Sequence, residues 1–275
     1  MPRDETPFFE DPYYDPNRLA EFESMFDGVS REKLIGIKRP DYLARQECPA
    51  RIANLMPDAK LLIVLRNPIE RAVSAYYWYL KQGYLPILPI EQGLANILNG
   101  SYRSTYPKSQ EIIDYGFYYQ SINRYLRYFS QHQLYITLHE DFKNDPLMAI
   151  RDVFSYLGVD ETQQPKALTK RPKKTIYSLQ RLKWLRMRNR YIHSYQQYGD
   201  NMVTLTPKRG LTSTTVKAFF FLVDRAFLAL LYQDSRPKLS PDLHRRLLDL
   251  YHDDIVGVEA LLRRNLTHWK QVPSE

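Results

Sequence analysis

Apolar residues run unbroken through "AKLLIVL", 59–65, and recur in "QLYITLHED", 133–141. Runs of that length fit strands covered on both faces in a parallel sheet. Elsewhere the spacing changes to three and four. In "FYYQSINRYLRYF", 117–129, apolar residues fall at 118, 122, 125, 126 and 129, which predicts a helix. "PARIANLMP", 49–57, predicts a short helix, and "KLIGIK", 33–38, a short strand. The first 33 residues read as irregular, with a short helix near Leu19–Phe26.

Two helices carry explicit start and stop signals. Asn67 is placed as a cap, Pro68 suits the first helical position, and Glu70 stands where a capping box needs it. This helix should run to about Lys81 and stop near Gly83. Asp145-Pro146 opens another, with Leu147, Ile150, Phe154 and Leu157 on one face and Gly158 as its stop. Residues 84–114 read as a surface excursion with one short helix. The order strand, helix, helix, strand, helix is that of βαβ units, so the fold class is α/β with a parallel sheet flanked by helices. After a basic linker, 166–174, the rest reads as helical with one loop at 199–210. Apolar residues at 243, 247, 250, 251, 255, 258, 261 and 262 mark the last helices. The expectation is a single domain over 1–275, with an α/β core in 1–165 and a helical part in 166–275.

Composition narrows the partners without choosing one. The net charge is +8 over 275 residues, which favours nucleic acid, anionic lipid, a nucleotide or an acidic glycan. The 22 tyrosines suit polar clefts, although most such residues are half-buried packing groups. Cys48 is the one cysteine, so no intrachain disulfide forms, and a cytoplasmic, reducing setting is expected. Six scattered histidines give no metal-ligand spacing. "MPRDETPFFEDPYYDP" lacks the apolar stretch of a leader. "VKAFFFLVDRAFLALLYQ", 216–233, is the most lipophilic stretch, but Lys217, Asp224 and Arg225 interrupt it. It reads as a buried or interfacial helix, a peripheral contact and not a span.

The chemistry centres on "LLIVLRNPIERAVSAYYWY", 61–79. Arg66 follows the strand at its carboxyl end, where open parallel sheets bind ligands. The next helix would aim its N-terminal amides and positive dipole end there. Arg66 brings a planar donor fork suited to phosphate, and Ser74 a hydroxyl. Surface pairing of Arg66 and Arg71 with Glu70 and other acids is an equal reading of these residues alone.

"LRNPIERAVSAYYWY" resembles the 3′-phosphate-binding motif of sulfotransferases, R-[ND]-P-x-x-R-x-x-S-x-Y, most closely in the heparan-sulfate and related bacterial branch. "GIKRPDYL", 36–43, is similar to the family's G-E-K-[ST]-P-x-Y-L, with Ile37 in place of Glu. "DYGFYYQSINRYLRYF", "LHEDFKNDPLMAIRDVFSYLGV" and the closing helices resemble further segments in the same order, so the likeness covers roughly 4–162 and 239–270. It implies a P-loop-NTPase-like fold and transfer of a sulfuryl group from 3′-phosphoadenosine 5′-phosphosulfate (PAPS) to a hydroxyl or amine, with no metal. The acceptor would be a carbohydrate, held in part by the basic tracts 166–174 and 181–190. By the same resemblance Arg66 and Ser74 hold the donor's 3′-phosphate, and Arg71 joins them as the motif's second arginine. "ETPFF", 5–9, is similar to K-E-x-x-F-F, with Asp4 in place of Lys, which makes Glu5 the base. Lys38 would stabilise charge or bind substrate.

The resemblance also implies a 5′-phosphosulfate loop well upstream of Glu5, and only four residues precede Glu5 here. A shortened chain, a relative without catalysis, and a partner that supplies the segment are the three readings. "TPKRG", 206–210, is a weak substitute as a lid contact. A basic nucleic-acid-binding protein is the alternative of another class, although no motif supports it.

Overall fold

The computed structural model describes residues 5–29, 32, 34–163, 165, 175–198, 202–208, 210–232 and 234–272. The basic linker 166–174 lies outside the described residues. In chain order the elements are α1 (Leu19–Ser24), α2 (Cys48–Leu55), β1 (Leu61–Leu65), α3 (Pro68–Gln82), α4 (Ile90–Leu98), α5 (Glu111–Asp114), α6 (Tyr118–Leu126), β2 (Leu134–Leu138), α7 (His139–Asn144), α8 (Pro146–Leu157), α9 (Leu179–Ile192), β3 (His193–Tyr198), β4 (Met202–Pro207), α10 (Leu211–Val223), α11 (Ala229–Leu231) and α12 (Pro241–Leu262). The fold is α/β with a parallel sheet. Its contacts form two compact units that interleave along the chain: Met1–Arg66, Phe117–Arg171 and Asp254–Leu266 in the first, and Asn67–Gly116, Pro172–Asp253 and Thr267–Glu275 in the second.

In the first unit β1 pairs parallel with β2, in register from Leu61↔Leu134 to Leu65↔Leu138. Ile63 and Leu65 are buried, but Leu62 and Val64 are 45% and 49% exposed. Successive side chains leave a strand on opposite faces. The apolar run therefore covers one face only, and burial on both faces does not hold among the described residues. Leu61 and Leu134 pack against a core of Phe9, Phe22, Tyr42, Cys48, Ile52, Tyr125 and Phe129. Residues 34–39 form no strand. Lys38 and Arg39 spend their charge on side-chain pairs instead.

The caps read from the sequence hold in this unit. The Asp145 side chain accepts from the Met148 amide, and Gly158 ends α8 at φ 73°. The face differs: Ala149 and Val153 are buried, whereas Leu147 is 44% exposed. The stretch after Leu138 turns helical as α7, because Asp141 folds back to accept from the Leu138 amide (2.9 Å) and the Thr137 hydroxyl (2.9 Å). Asp254, on α12, accepts from the amides of Tyr119 (2.9 Å) and Gln120 (3.2 Å). It caps α6 from more than a hundred residues away, where Phe117 has no side chain able to do so.

In the second unit α3 takes the expected Asn67 cap, but the Glu70 side chain pairs with Arg236 at 3.1 Å and closes no capping box. The Asn67 side chain accepts from Ile69 and Glu70, and Gly83 ends the helix at φ 87°. Gly93 of α4 lies against Tyr76 of α3; a Cβ there would stand 2.0 Å from the tyrosine hydroxyl. On α9, Leu182, Leu185 and Ile192 are buried. Arg181, also buried, forks onto Asp224 (2.9 and 2.8 Å) and pairs with Asp234. The expected loop at 199–210 is in large part a hairpin: β3 pairs antiparallel with β4. The polar string "HSYQQY" carried no apolar alternation to announce it.

Candidate active site

Segment 5–11 and the turn at Pro40–Leu43 bring one group of candidate residues together within the first unit. Lys38 Nζ donates to Glu5 at 2.8 Å, so the two residues assigned to catalysis meet. Both side chains reach solvent, at 68% for Lys38 and 40% for Glu5. Arg39 lies beside them, 3.7 Å from Glu5 and 2.9 Å from Asp41. Its fork closes on Glu10 through bonds of 2.6 and 2.7 Å. Glu10 is 2% exposed. Burial pushes its carboxyl up, and Arg39 only partly offsets this. Burial also works against the Arg39 charge, but Glu10, Asp41 and Glu5 outweigh it and hold the guanidinium above its ordinary range.

Glu10, Arg39 and Asp41 were not among the residues singled out by sequence. Glu10 and Arg39 lie 29 residues apart, and no local pattern links them. Backbone bonds fix the segment around them. Tyr42 donates to Thr6 O at 2.5 Å and Arg51 to Phe9 O at 2.9 Å. Cys48 is buried against the same carbonyl, its sulfur 3.4 Å away. Burial pushes that thiol up, which keeps it protonated.

The motif residues follow β1. Arg66 is half-buried and closes the first unit. Ser74 is half-buried on α3 of the second. The α3 terminus differs from the sequence expectation in one respect. Pro68 has no N–H, the Ile69 and Glu70 amides bond to the Asn67 side chain (2.9 and 3.2 Å), and the Arg71 amide bonds to Asn67 O (2.9 Å). The cap thus consumes the first-turn donors. What α3 offers an anion is its dipole and the Ser74 hydroxyl, and hydrogen bonding falls to side chains. Arg71 Nη2 donates to the Ile112 carbonyl. Arg71 Nε is buried and has no partner among the described residues.

Two cavities are formed, and neither lies at the carboxyl ends of the strands. A groove of about 550 Å³ in the first unit is lined by Gln131, His132, Leu134 and Tyr156, at the amino end of β2 and so opposite Arg66. One of about 480 Å³ in the second unit is lined by Gly83, Lys183, Arg186, Met187 and Arg190. It sits at the far end of α3, ~20 Å along the helix from its cap. No group of three or more His, Cys, Asp or Glu able to hold a metal occurs among the described residues. Lys208 follows β4, with Nζ 3.4 Å from Arg190 O; Arg209 lies outside the described residues.

A family profile described as "Sulfotransferase domain" matches residues 48–226, which include Arg66, Arg71 and Ser74 but not Glu5 or Lys38. Heparan sulfate glucosamine 3-O-sulfotransferase 6 of Mus musculus is 31% identical over 153 residues, 56% of this chain and 43% of that protein. Bifunctional heparan sulfate N-deacetylase/N-sulfotransferase 1 of Caenorhabditis elegans is 26% identical over 124 residues, 45% of this chain and 14% of that one. The matches thus span less than half the length of these relatives. The crystal structure of a sulfotransferase from Alicyclobacillus acidocaldarius superposes with a TM-score of 0.64 at 22% identity, over 98% of this chain and 87% of that one; this likeness shows the fold. With the profile matching well over half of its length, the chain belongs to the sulfotransferase-domain family.

Proposed function

We propose that the protein moves a sulfuryl group from PAPS to a hydroxyl or amine of a carbohydrate. The observation that carries this reading is the Asn67-capped start of α3, with Arg66, Arg71 and Ser74 at the motif positions inside the matched domain. Relatives named for heparan sulfate support an acidic glycan as acceptor, and the net charge of +8 suits one.

PAPS supplies the activated sulfur. Arg66 provides a permanent positive charge and a planar fork for the 3′-phosphate, and Ser74 a neutral donor. In the transfer the bond from sulfur to the bridging phosphate oxygen breaks, and a bond from the acceptor oxygen or nitrogen to sulfur forms. The acceptor proton passes to Glu5, and the electron pair of the broken bond stays on the departing nucleotide. Lys38, held by Glu5, brings positive charge to that carboxylate; when Glu5 takes the proton, the ammonium is released to face the charge that develops on the transferring group. Buried, protonated Cys48 suits a reducing, cytoplasmic setting.

Glu5 paired with both Lys38 and Arg39 is also what a purely structural tie would look like. Donor-dependent sulfation of a desulfated heparan oligosaccharide separates the two. A base role predicts that Glu5→Gln lowers kcat by about a hundredfold or more with little change in KM for the donor. An unchanged kcat together with a lowered melting temperature would assign Glu5 to structure and leave the reaction without its base.

A further inference from the structure

From α10 to α11 the chain forms one helical rod, Leu211–Leu231, with a single wide turn at Asp224–Leu228. One side is packed. Phe220 is buried, its ring 4.4 Å from that of Trp184 on α9, and Trp184 donates to Phe220 O at 3.3 Å. The other side is open. Phe219, Phe221, Leu222, Phe227, Leu230 and Leu231 are 55–79% exposed. Such a concentration of bare aromatic and leucine side chains marks an interaction surface.

Charge selects the partner. Residues 211–232 hold three charged side chains, Lys217, Asp224 and Arg225. The wide turn places Asp224 inward, where it is 8% exposed and bonded to Arg181. The outer surface of the rod therefore carries only Lys217 and Arg225 as charges, both exposed. They lie two turns apart, with Phe221 between them and the Arg225 guanidinium 5.9 Å from its ring. An apolar face edged by cations and free of acids is the pattern of a helix lying in the interface of an anionic bilayer. A protein partner would find no carboxylate on this face with which to set its register. The rod is not a span: no helix among the described residues is long and apolar enough to cross a membrane.

We infer that α10 and α11 seat the protein on an anionic lipid surface, with Phe227, Leu230 and Leu231 entering the acyl boundary and Lys217 and Arg225 at the headgroups. This inference stands whether or not the transfer reaction does, because none of its residues belongs to the proposed site. The test is co-sedimentation with vesicles of phosphatidylcholine plus phosphatidylserine, against pure phosphatidylcholine. The wild-type chain should pellet with the mixed vesicles and much less with the neutral ones. Leu230→Glu with Leu231→Glu should lower partitioning by about a hundredfold or more, roughly the worth of two leucine side chains left in water. These side chains are 79% and 72% exposed, so the variant keeps its packing, which circular dichroism checks; Phe227→Glu is the second variant. Lys217→Gln and Arg225→Gln should each remove about fivefold, on the anionic vesicles only. Failure of the folded protein to bind the mixed vesicles overturns the inference. So does a dimer, seen by light scattering, that the leucine variants dissociate, since that would give the face to a second copy.

Discussion

Arg39 shows how Glu5 and Lys38, the pair proposed for catalysis, are held. It spans Glu10, Asp41 and Glu5, and its fork closes on Glu10, which is buried. Arg39→Ala would leave a buried carboxylate without its partner, at a cost of about 3 kcal/mol in urea unfolding. A loss near zero would mean that water reaches Glu10. At the phosphate side, Ser74→Ala removes one neutral donor and should weaken binding of 3′-phosphoadenosine 5′-phosphate by about threefold to tenfold. Arg66, Arg71, Ser74, Glu5 and Lys38 are all nameable from sequence, because motif spacing survives as text. Arg39 and Glu10 are not, because their pairing exists only once residues 29 apart are brought together.

At the scale of elements, the start of α3 is legible for the same reason. A cap is local chemistry, and Asn67, Pro68 and Gly83 write it within 17 residues. Asn67→Ala should cost about 1 kcal/mol, read as a drop in melting temperature. Gly93→Ala should cost more, since its methyl would overlap the Tyr76 hydroxyl that donates to Leu88 O at 2.8 Å. A neutral result would require α4 to slide on α3. Where a partner is distant or a pattern absent, sequence fails. Asp254 caps α6 from α12, and Phe117 gives no hint of it. "HSYQQY" has no apolar alternation and still forms β3. The run in β1 predicts cover on two faces, whereas Leu62 and Val64 are bare, because hydrophobicity records a face's preference and not what occupies it.

On the scale of the whole molecule, acid stability and ligand binding are the properties to test. Arg264 forks onto Asp141 through two bonds of 2.7 Å. These bonds, with those from Leu138 and Thr137, hold the Asp141 carboxyl down at about 2. An unfolded aspartate titrates near ~4. The stabilisation is therefore complete above pH ~4 and is lost as pH falls toward ~2. Glu10 and Asp254, both pushed up by burial, act in the opposite sense and are relieved by acid. Urea midpoints should hold or rise slightly at mildly acid pH and fall below ~4. Arg264→Ala should flatten that fall and lower neutral stability by about 1 kcal/mol or less, as the pair is part-exposed. An unaltered acid limb would place the titrating group elsewhere. The central claim, that this family member holds a 3′-phosphorylated nucleotide at Arg66, is tested most directly by calorimetric titration with 3′-phosphoadenosine 5′-phosphate. The account predicts saturable binding that Arg66→Ala weakens by about tenfold to a hundredfold, the worth of a charged hydrogen-bond fork. A folded protein that binds no nucleotide, or binds it equally well without Arg66, would contradict it.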